Sequence, residues 1–514
     1  MKTPEFQLEN KDFNVKEFIF VFLFFFSIFA ISNQGFIVGE GGYHYRVADQ
    51  IIRYGELGFS QPQIGVFITA PTGRIYAGHE IGNTLFMLPT ALINLLIEKL
   101  LLNRIGLDRL ELLKSFILSF NFNIYAALTA SIFYKILRNG FSQRMTTSFF
   151  ATFLLVFTTY FWTSSRDSFD GVLCSTLFTF SFFLLILYKE KPRSPFLIGS
   201  FICLGFCFIT RISTIFLVIA SFIYLFLILK NRFYWLEISK RMGYSVLTLL
   251  PFVIWQMWYN HLRTGYFYMS PVQTKQFATN NALDGNLLLG ISGLLLSPGK
   301  SLFIYAPLLI ISVILFKKFY QEYRKEAIYF LAVCLFWFLL HARLRSWYGA
   351  WGWGPRHFIT ILPVLFLPFA VNLQFVLRQK LLKVSSLLLG GFGFLLALSS
   401  IISNWQFRLT YAREQGRISD DIFVWGFTNN QAIDMLRAGG ENIWRLITRA
   451  PAIRIASEYS EMNEYVSSTL NIWPNALIAA GIPWYVAIAA LIPFLALLYF
   501  SSWNLIYLHS RDAE

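Results

Sequence analysis

The stretch that decides the fold is Phe18-Ile-Phe-Val-Phe-Leu-Phe-Phe-Phe26, which lies within an apolar run over residues 17–38. Its apolar side chains do not alternate with polar ones, as those of a transmembrane β-strand would. About 20 apolar residues are enough to cross the hydrocarbon core as a helix. Of the 514 residues, 56% are hydrophobic and 14% are charged, whereas soluble proteins carry about 25% charged residues. The composition excludes a soluble or disordered protein and predicts an all-α polytopic membrane protein.

Similar apolar runs recur along the chain, and we predict a bundle of about twelve transmembrane helices. The predicted spans lie near residues 17–38, 114–136, 146–163, 169–188, 195–210, 212–229, 244–261, 301–316, 326–341, 357–377, 382–403 and 484–506. We place the apolar stretch 81–102 in the outer interface, together with a second interfacial helix at 43–55. Pro and Gly are few inside the spans, which gives little support to ion sites of the kind that broken helices form in transporters.

The distribution of Lys and Arg predicts the orientation of the bundle. With a cytoplasmic N-terminus, the basic residues between spans fall into five short loops on the inside, as the positive-inside rule requires. These loops lie within residues 135–144, 189–193, 230–241, 317–325 and 378–383. The long segments 39–113, 263–300 and 404–483 are then outside. We predict the inner (plasma) membrane as the location, with the first apolar run kept as an anchor because it lacks a cleavage site.

Three units follow from this organisation. Residues 1–403 form a transmembrane module, in which 39–113 is the first outer loop with interfacial helices. Residues 404–483 form a small outer cap, since their acidic and basic residues are balanced. Residues 484–514 form the last span and a cytoplasmic tail.

Net charge and cysteines add little about function. The formal net charge is +15, but the basic residues form no stripe of the nucleic-acid-binding kind, so they are assigned to topology and to anionic head groups. No nucleic-acid partner is expected. All four cysteines lie in apolar segments, which is typical of buried thiols.

Polar residues close to membrane depth are the candidates for a functional site, because burying them without a use is costly. Glu40 follows the first span and precedes two glycines, which leave room for a close approach. The simpler interpretation of Glu40 is a carboxylate that ends a hydrophobic helix in water. Asp170 has an equally simple interpretation as a helix cap, and Arg211 as a cation that reaches the surface along its own stem. The candidate substrate-binding residues are Tyr43, His44, Glu80, Asp170, Arg211, Lys300, Arg345, Arg356 and His357.

These motifs, in this order and on one side of the membrane, resemble the GT-C superfamily of polyprenyl-phosphate-sugar-dependent glycosyltransferases. The branch most similar contains the protein mannosyltransferases and the lipid A aminoarabinose transferase. The resemblance covers roughly residues 15–380. It rests on Glu40-Gly-Gly-Tyr43, Gly73-Arg-Ile-Tyr-Ala-Gly-His-Glu-Ile-Gly82, Asp170, Thr210-Arg211, Ser297-Pro-Gly-Lys300 and, around Trp351, the run Trp-Gly-Trp-Gly-Pro-Arg-His that ends at His357. The family often has an Asp-Glu pair in the first loop, where this chain has Gly39-Glu40.

The resemblance implies transfer of a sugar from a polyprenyl-phosphate donor to an acceptor hydroxyl on the extracytoplasmic side. Glu40 would be the general base of an inverting reaction, and Arg and Lys would stabilise the phosphate that leaves. The departure at Gly39 leaves open whether Glu40 acts alone or shares its role with Glu80, Asp49 or Asp170. The acceptor would be a glycan, a lipid or a protein, with membrane lipids around the bundle. The sequence specifies no cofactor and leaves a divalent metal open, since its six histidines show no ligand spacing.

Two other functions share part of this pattern. A transporter or flippase for lipid-linked saccharides would place polar residues along a path through several spans, whereas here only Arg211 interrupts them. A ligase or polymerase that uses a pyrophosphate-linked donor would use the same cations. It would favour an outer loop rich in Arg and His, and segment 404–483 contains no His.

Overall fold

A computed structural model gives the architecture of the chain. It describes residues 14–37, 39–63, 65–271, 283–349, 352–414, 420–449, 453–456, 464–467, 470–479 and 481–513. Within these ranges the chain is almost entirely helical, as predicted from its apolar runs.

The helices of the first half alternate with short turns and one long outer loop. They are α1 Val15–Ser32, α2 Glu40–Tyr54, α3 Gly82–Leu101, α4 Leu107–Lys135, α5 Met145–Phe157, α6 Phe161–Ser164, α7 Asp170–Glu190, α8 Ser194–Thr210, α9 Ile215–Leu229 and α10 Trp235–Thr264. A π-helical turn, Ile136–Gly140, extends α4, and a 3₁₀ turn, Ile212–Thr214, precedes α9.

The second half continues the bundle and contains the cap. Its helices are α11 Leu287–Leu296, α12 Leu302–Tyr305, α13 Leu309–Glu322, α14 Arg324–Ala342, α15 Leu362–Val371, α16 Leu373–Arg378, α17 Lys380–Ile402, α18 Trp405–Glu414, α19 Asp420–Trp425, α20 Gln431–Thr448, α21 Trp473–Ala479, α22 Trp484–Ala489 and α23 Ile492–Ala513. A 3₁₀ turn, Arg356–Thr360, leads into α15. Strands β1 (Phe67–Thr69) and β2 (Ile75–Ala77) pair antiparallel in the first outer loop, as do β3 (Ile453–Ala456) and β4 (Glu464–Ser467) in the cap.

Eight helical segments in the described part of the chain are long and apolar enough to cross a membrane. They are Val15–Ser32, Gly82–Leu101, Leu107–Gly140, Asp170–Glu190, Ile212–Leu229, Arg324–Ala342, Lys380–Ile402 and Trp484–Ser510. Four shorter apolar helices, α5, α8, α11 and α15, accompany them. The prediction of a polytopic helical membrane protein is confirmed.

Helix α3 occupies the apolar stretch 81–102, which the sequence analysis places in the outer interface. It has 20 residues and a mean hydropathy of 1.6 over its most apolar window, so its length and composition suit a span. Its interfacial placement stays a prediction.

Three predicted spans, 146–163, 301–316 and 357–377, are each divided into shorter helices in the structure. After α5, the hydroxyl groups of Thr158 and Thr159 donate back to the carbonyls of Leu154 and Leu155 at 2.6 Å. The next residue, Tyr160, donates its backbone N–H to the carbonyl of Tyr305, where α12 ends, at 2.9 Å. Two helix ends therefore satisfy part of each other's backbone polarity inside the bundle.

Buried polar groups fix the two ends of α1 against α4. At the first end, Glu17 accepts from Lys135 at 2.9 Å and from Arg138 at 3.2 Å. At the last, the Asn33 amide donates to Ser119 and Asn123 at 2.8 and 2.7 Å. Since Lys135 and Arg138 belong to the first basic loop, the residues that follow α1 lie at the opposite end of the bundle from that loop.

The segment after α17 packs back onto this second end. Trp473 in α21 donates its indole N–H to the carbonyl of Ala30 at 2.9 Å. Helix α20 lies along α17, where a Cβ on Gly439 would come 2.8 Å from the Ser399 hydroxyl oxygen. The cap thus covers the end of the bundle where α1 finishes.

Candidate functional site

The site begins where α2 starts. Gly39 has φ +64° and ψ −129°, a backbone conformation that side chains rarely adopt. Glu40 then opens α2, and a Cβ on Gly41 would come 2.4 Å from Cβ of Ser168. The glycines therefore bring the first turn of α2 directly against the turn before α7. An aspartate at position 39 would be strained in this conformation.

Glu40 is paired with a cation from the other half of the chain. Its Oε1 accepts from Nη1 of Arg356 at 3.2 Å, and the two side chains are 17% and 21% exposed. Burial raises the pKa of Glu40, but its electrostatic interactions with Arg356, His79, Arg211 and His44 more than compensate, so the pKa lies below its usual value. Glu40 is therefore ionised at neutral pH.

A second ion pair lies next to the first. Asp170 opens α7, and its Oδ1 lies 3.0 Å from Nη2 of Arg211, which follows α8. Both side chains are largely buried. Arg211 and Arg356 both lower the pKa of Glu40. The two ion pairs therefore form one cluster of two carboxylates and two arginines.

Arg356 is held in place by its surroundings. Its guanidinium lies over the ring of Phe169, with 4.4 Å from Cζ to the ring centre. A Cβ on Gly352 would come 2.2 Å from the Arg356 Cδ. Gly352 of the Trp-Gly-Trp-Gly motif thus leaves the space that the arginine occupies. Trp353 is buried against Tyr305, and Trp351 of the same motif is outside the described residues.

Lys300 and His357 extend the cluster on the Arg356 side. The Lys300 ammonium is fully buried and donates to the carbonyl of Gly352 at 2.6 Å. The pKa of His357 lies well below its usual value because the imidazole is buried and because the charges of His341, Arg211, Arg356 and Lys300 oppose its protonation. His357 is therefore neutral, beside a concentration of positive charge.

The histidines of the first outer loop lie on the Glu40 side. His44 is 1% exposed, and its Nδ1 lies 3.1 Å from the Thr84 hydroxyl oxygen. Its ring centre is 5.6 Å from that of His79, and the ring of Tyr43 stacks on His79 at 6.0 Å. Burial, then the neighbouring His79, lower the pKa of His44 to about 3, despite the opposing charge of Glu40.

Two candidates from the sequence lie outside this cluster. Glu80 accepts from Arg263 at 2.7 Å and from Gln256 at 2.6 Å, so its carboxylate joins the first outer loop to α10. Arg345 is half exposed and paired with Asp284. Neither side chain is brought to Glu40 by the fold.

Asp167 is a site residue that the sequence reasoning did not select. It lies in the same turn as Asp170, is 4% exposed, and accepts from the Trp405 indole at 3.2 Å. Burial raises the pKa of Asp167 to about 7, although Trp405, Arg166 and Arg356 lower it. The presence of two carboxylates in one short turn, 167 and 170, was the available signal.

Several buried polar atoms around these pairs have no hydrogen-bond partner among the described residues. They belong to side chains in the first turns of α2 and α3, before α3, after α8 and before α15: His44 Nε2, His79 Nε2, both amide atoms of Asn83, Arg211 Nη1, Arg356 Nε, His357 Nδ1 and Thr360 Oγ1. Buried polar groups are almost always satisfied in folded proteins, so this concentration marks a place prepared for a polar ligand. Among the described residues, no group of three or more His, Cys, Asp and Glu side chains is arranged to hold a metal ion.

No protein-family model matches the sequence, and no curated protein matches it significantly. Solved structures do resemble it. ArnT from Cupriavidus metallidurans in the apo state has a TM-score of 0.45 and 10% identity, over 83% of this chain and 78% of that one. The same protein bound to undecaprenyl phosphate gives 0.43, also at 10% identity and with the same coverage.

The archaeal oligosaccharyltransferase AglB from Archaeoglobus fulgidus, in complex with an inhibitory peptide and a dolichol-phosphate, has a TM-score of 0.44 and 12% identity, over 77% of this chain and 57% of that one. Both proteins are GT-C enzymes. The likeness assigns neither an activity nor residue roles to this chain.

Proposed function

We propose that this protein is a membrane glycosyltransferase that transfers a sugar from a polyprenyl-phosphate donor to an acceptor hydroxyl. The observation that carries the proposal is the buried cluster at one end of the bundle, in which the ionised Glu40 meets cations suited to a lipid phosphate. The site is built from helix ends, so a polyprenyl chain could remain among the apolar helices while its head group enters the cluster.

Three cations would bind the phosphate in this proposal: Arg211, Lys300 and Arg356. They come from three separate parts of the chain, and the positive charge of each lowers the pKa of His357. Guanidinium groups form charge-assisted, often bidentate hydrogen bonds with phosphate oxygens. When the bond between the anomeric carbon and the phosphate oxygen breaks, the negative charge that develops on the phosphate is stabilised by these groups.

Glu40 would serve as the general base. It takes the proton of the acceptor hydroxyl while the acceptor oxygen attacks the anomeric carbon from the side opposite the phosphate. A phosphate entering the cluster would compete for Arg356 and release the carboxylate for this role. Asp170 is engaged with Arg211, so a single displacement with inversion is the expected stereochemical course.

The extracytoplasmic placement of the site is part of the proposal. Glu40 follows α1, whose other end carries Glu17 bound to Lys135 and Arg138 of the first basic loop. Positively charged loops mark the cytoplasmic side, so the cluster would face the outside of the cell membrane.

Binding of undecaprenyl phosphate to the purified protein tests the donor class. Arg356→Ala and Arg211→Ala should each weaken binding more than fivefold, which exceeds the ~1 kcal/mol of an exposed ion pair. Arg74→Ala, which removes a half-exposed arginine paired with Glu56 in the same outer loop, should leave binding unchanged. No binding by the wild type, or a strong preference for undecaprenyl pyrophosphate, would contradict the proposal and favour a pyrophosphate-linked ligase.

A further inference from the structure

Beside the ion pairs lies a second group of polar side chains with buried, unpartnered atoms. Asn83 is completely buried, and neither atom of its amide has a partner among the described residues. His44 is also buried, with Nε2 unpartnered, and the Nε2 of His79 is buried and unpartnered as well. An unsatisfied buried polar group costs about 1–3 kcal/mol, so three together need an explanation.

The fold places these three residues together. Thr84, the neighbour of Asn83, meets His44 at 3.1 Å, and His44 in turn lies against His79. On the other side of Asn83, a Cβ on Gly82 would come 2.1 Å from the Thr210 hydroxyl oxygen. The first turn of α3 is therefore held between His44 and the residue that precedes Arg211.

The group is close to the proposed reaction centre. Electrostatic interactions with His44 and His79 lower the pKa of Glu40, as do those with Arg356 and Arg211. The carboxylate thus has two kinds of neighbour: arginines, which suit a phosphate, and imidazole rings, whose nitrogen atoms suit hydroxyl groups.

We propose that His44, His79 and Asn83 form a subsite that binds the hydroxyl groups of the donor's sugar. This inference rests on the proposed function and names the part of the site that would read the glycosyl group. An amide donates and accepts, as neighbouring sugar hydroxyls do. The Nε2 of His44 donates a hydrogen bond if it carries the ring proton and accepts one if it does not. A sugar hydroxyl group can pair with it in either case, because a hydroxyl both donates and accepts.

The same chemistry selects the class of sugar. Asp170 is paired with Arg211, and the three residues of the subsite contribute no carboxylate. A cationic amino sugar would find no negative charge within the subsite, whereas a neutral sugar would satisfy the three groups. The subsite therefore favours neutral sugars rich in hydroxyl groups.

The test compares lipids with and without a sugar, on the full-length protein. The probes are undecaprenyl phosphate and its conjugates with mannose, glucose and 4-amino-4-deoxyarabinose. In the wild type, at least one neutral conjugate should bind more tightly than the bare lipid and than the amino-sugar conjugate. Asn83→Leu and His44→Phe should weaken binding of that conjugate at least tenfold and change binding of bare undecaprenyl phosphate less than twofold.

Two further variants complete the design. Asn121→Ala removes another buried amide, on α4, whose oxygen accepts from Thr90. This variant should not weaken binding of the sugar conjugate relative to binding of bare undecaprenyl phosphate. His79→Phe replaces Asn83→Leu if the latter does not fold, and the thermal unfolding temperature in detergent reports the fold of each variant.

The outcomes separate the two proposals. A wild type that does not bind undecaprenyl phosphate contradicts the proposed function itself. A wild type that binds it but gains nothing from a neutral sugar overturns the subsite. Equal loss of both lipids in the variants, or loss of neither, overturns it as well.

Discussion

At the scale of single residues, the site depends on a backbone conformation as much as on side chains. Gly39 holds φ +64° immediately before Glu40, so the carboxylate leaves the first outer loop in a fixed direction toward Arg356. A glycine at position 39 is thus explained by the turn it forms.

Gly39→Ala should disturb the site. Forcing a side chain into this conformation costs about 1–3 kcal/mol. If the backbone keeps the conformation, the thermal stability should fall. If the backbone relaxes, Glu40 moves and the transfer activity should fall. Gly42→Ala is the matched control, because a Cβ there meets nothing within 4 Å and alanine favours the helix. Equal stability and activity in the two variants would show that the turn at Gly39 is unimportant.

The charge environment of Glu40 predicts a pH dependence. Burial raises the pKa of Glu40, but the surrounding positive charges bring it below the usual value. The ionised base is therefore present at neutral pH, and kcat/KM should fall only when the pH drops below the ordinary range of glutamate. Arg356→Gln removes the largest of the opposing charges and should move this acid limb to higher pH, while Arg74→Gln should not. An acid limb at the same pH in wild type and Arg356→Gln would contradict the electrostatic account.

At the scale of elements, the apolar runs of the sequence predicted the long helices but not the interruptions within three of the predicted spans. Apolar runs near 17–38, 169–188 and 382–403 became α1, α7 and α17 because length and hydropathy are local properties. The break after α5 depends on a hydrogen bond from Tyr160 to Tyr305, which joins residues far apart in sequence. No window of the sequence contains that information.

Packing around this break can be tested with two neighbouring glycines of α17. A Cβ on Gly393 would come 2.1 Å from the carbonyl oxygen of Thr158, whereas one on Gly391 meets nothing within 4 Å. Gly393→Ala should therefore lower the thermal unfolding temperature in detergent clearly, and Gly391→Ala should not. Similar unfolding temperatures for the two variants would exclude close packing of α17 on the interrupted helix.

The candidate site was predictable in part for the same reason. Glu40, Asp170, Arg211 and Arg356 are charged residues at the ends of apolar runs, and that pattern is visible locally. Their pairing is not, since Glu40 and Arg356 come from opposite halves of the chain. Arg345 has the same local appearance as Arg356, and only the fold shows that it is paired with Asp284 instead.

At the scale of the whole molecule, the bundle has two chemically different ends. One carries the basic loops, with Glu17 and Glu326 partnering their lysines. The other carries the glutamate–arginine cluster and the cap that covers it. The proposed function requires the second end to face the outside.

Labelling of single added cysteines tests this sidedness. A membrane-impermeant maleimide applied to intact cells should label Gln63→Cys in the first outer loop, and should not label Lys191→Cys, an exposed position in a basic loop. The protein without an added cysteine is the control. The reverse pattern would place the site in the cytoplasm and remove the extracytoplasmic part of the proposal.

The most direct test of the central claim is sugar transfer by Glu40→Gln. The substitution keeps the shape of the side chain and removes its charge, so turnover should fall by about 100-fold or more, while undecaprenyl phosphate still binds. Glu56→Gln, a half-exposed carboxylate in the same outer loop, should keep wild-type turnover. Near-wild-type turnover in Glu40→Gln would contradict the account and show that another group takes the proton.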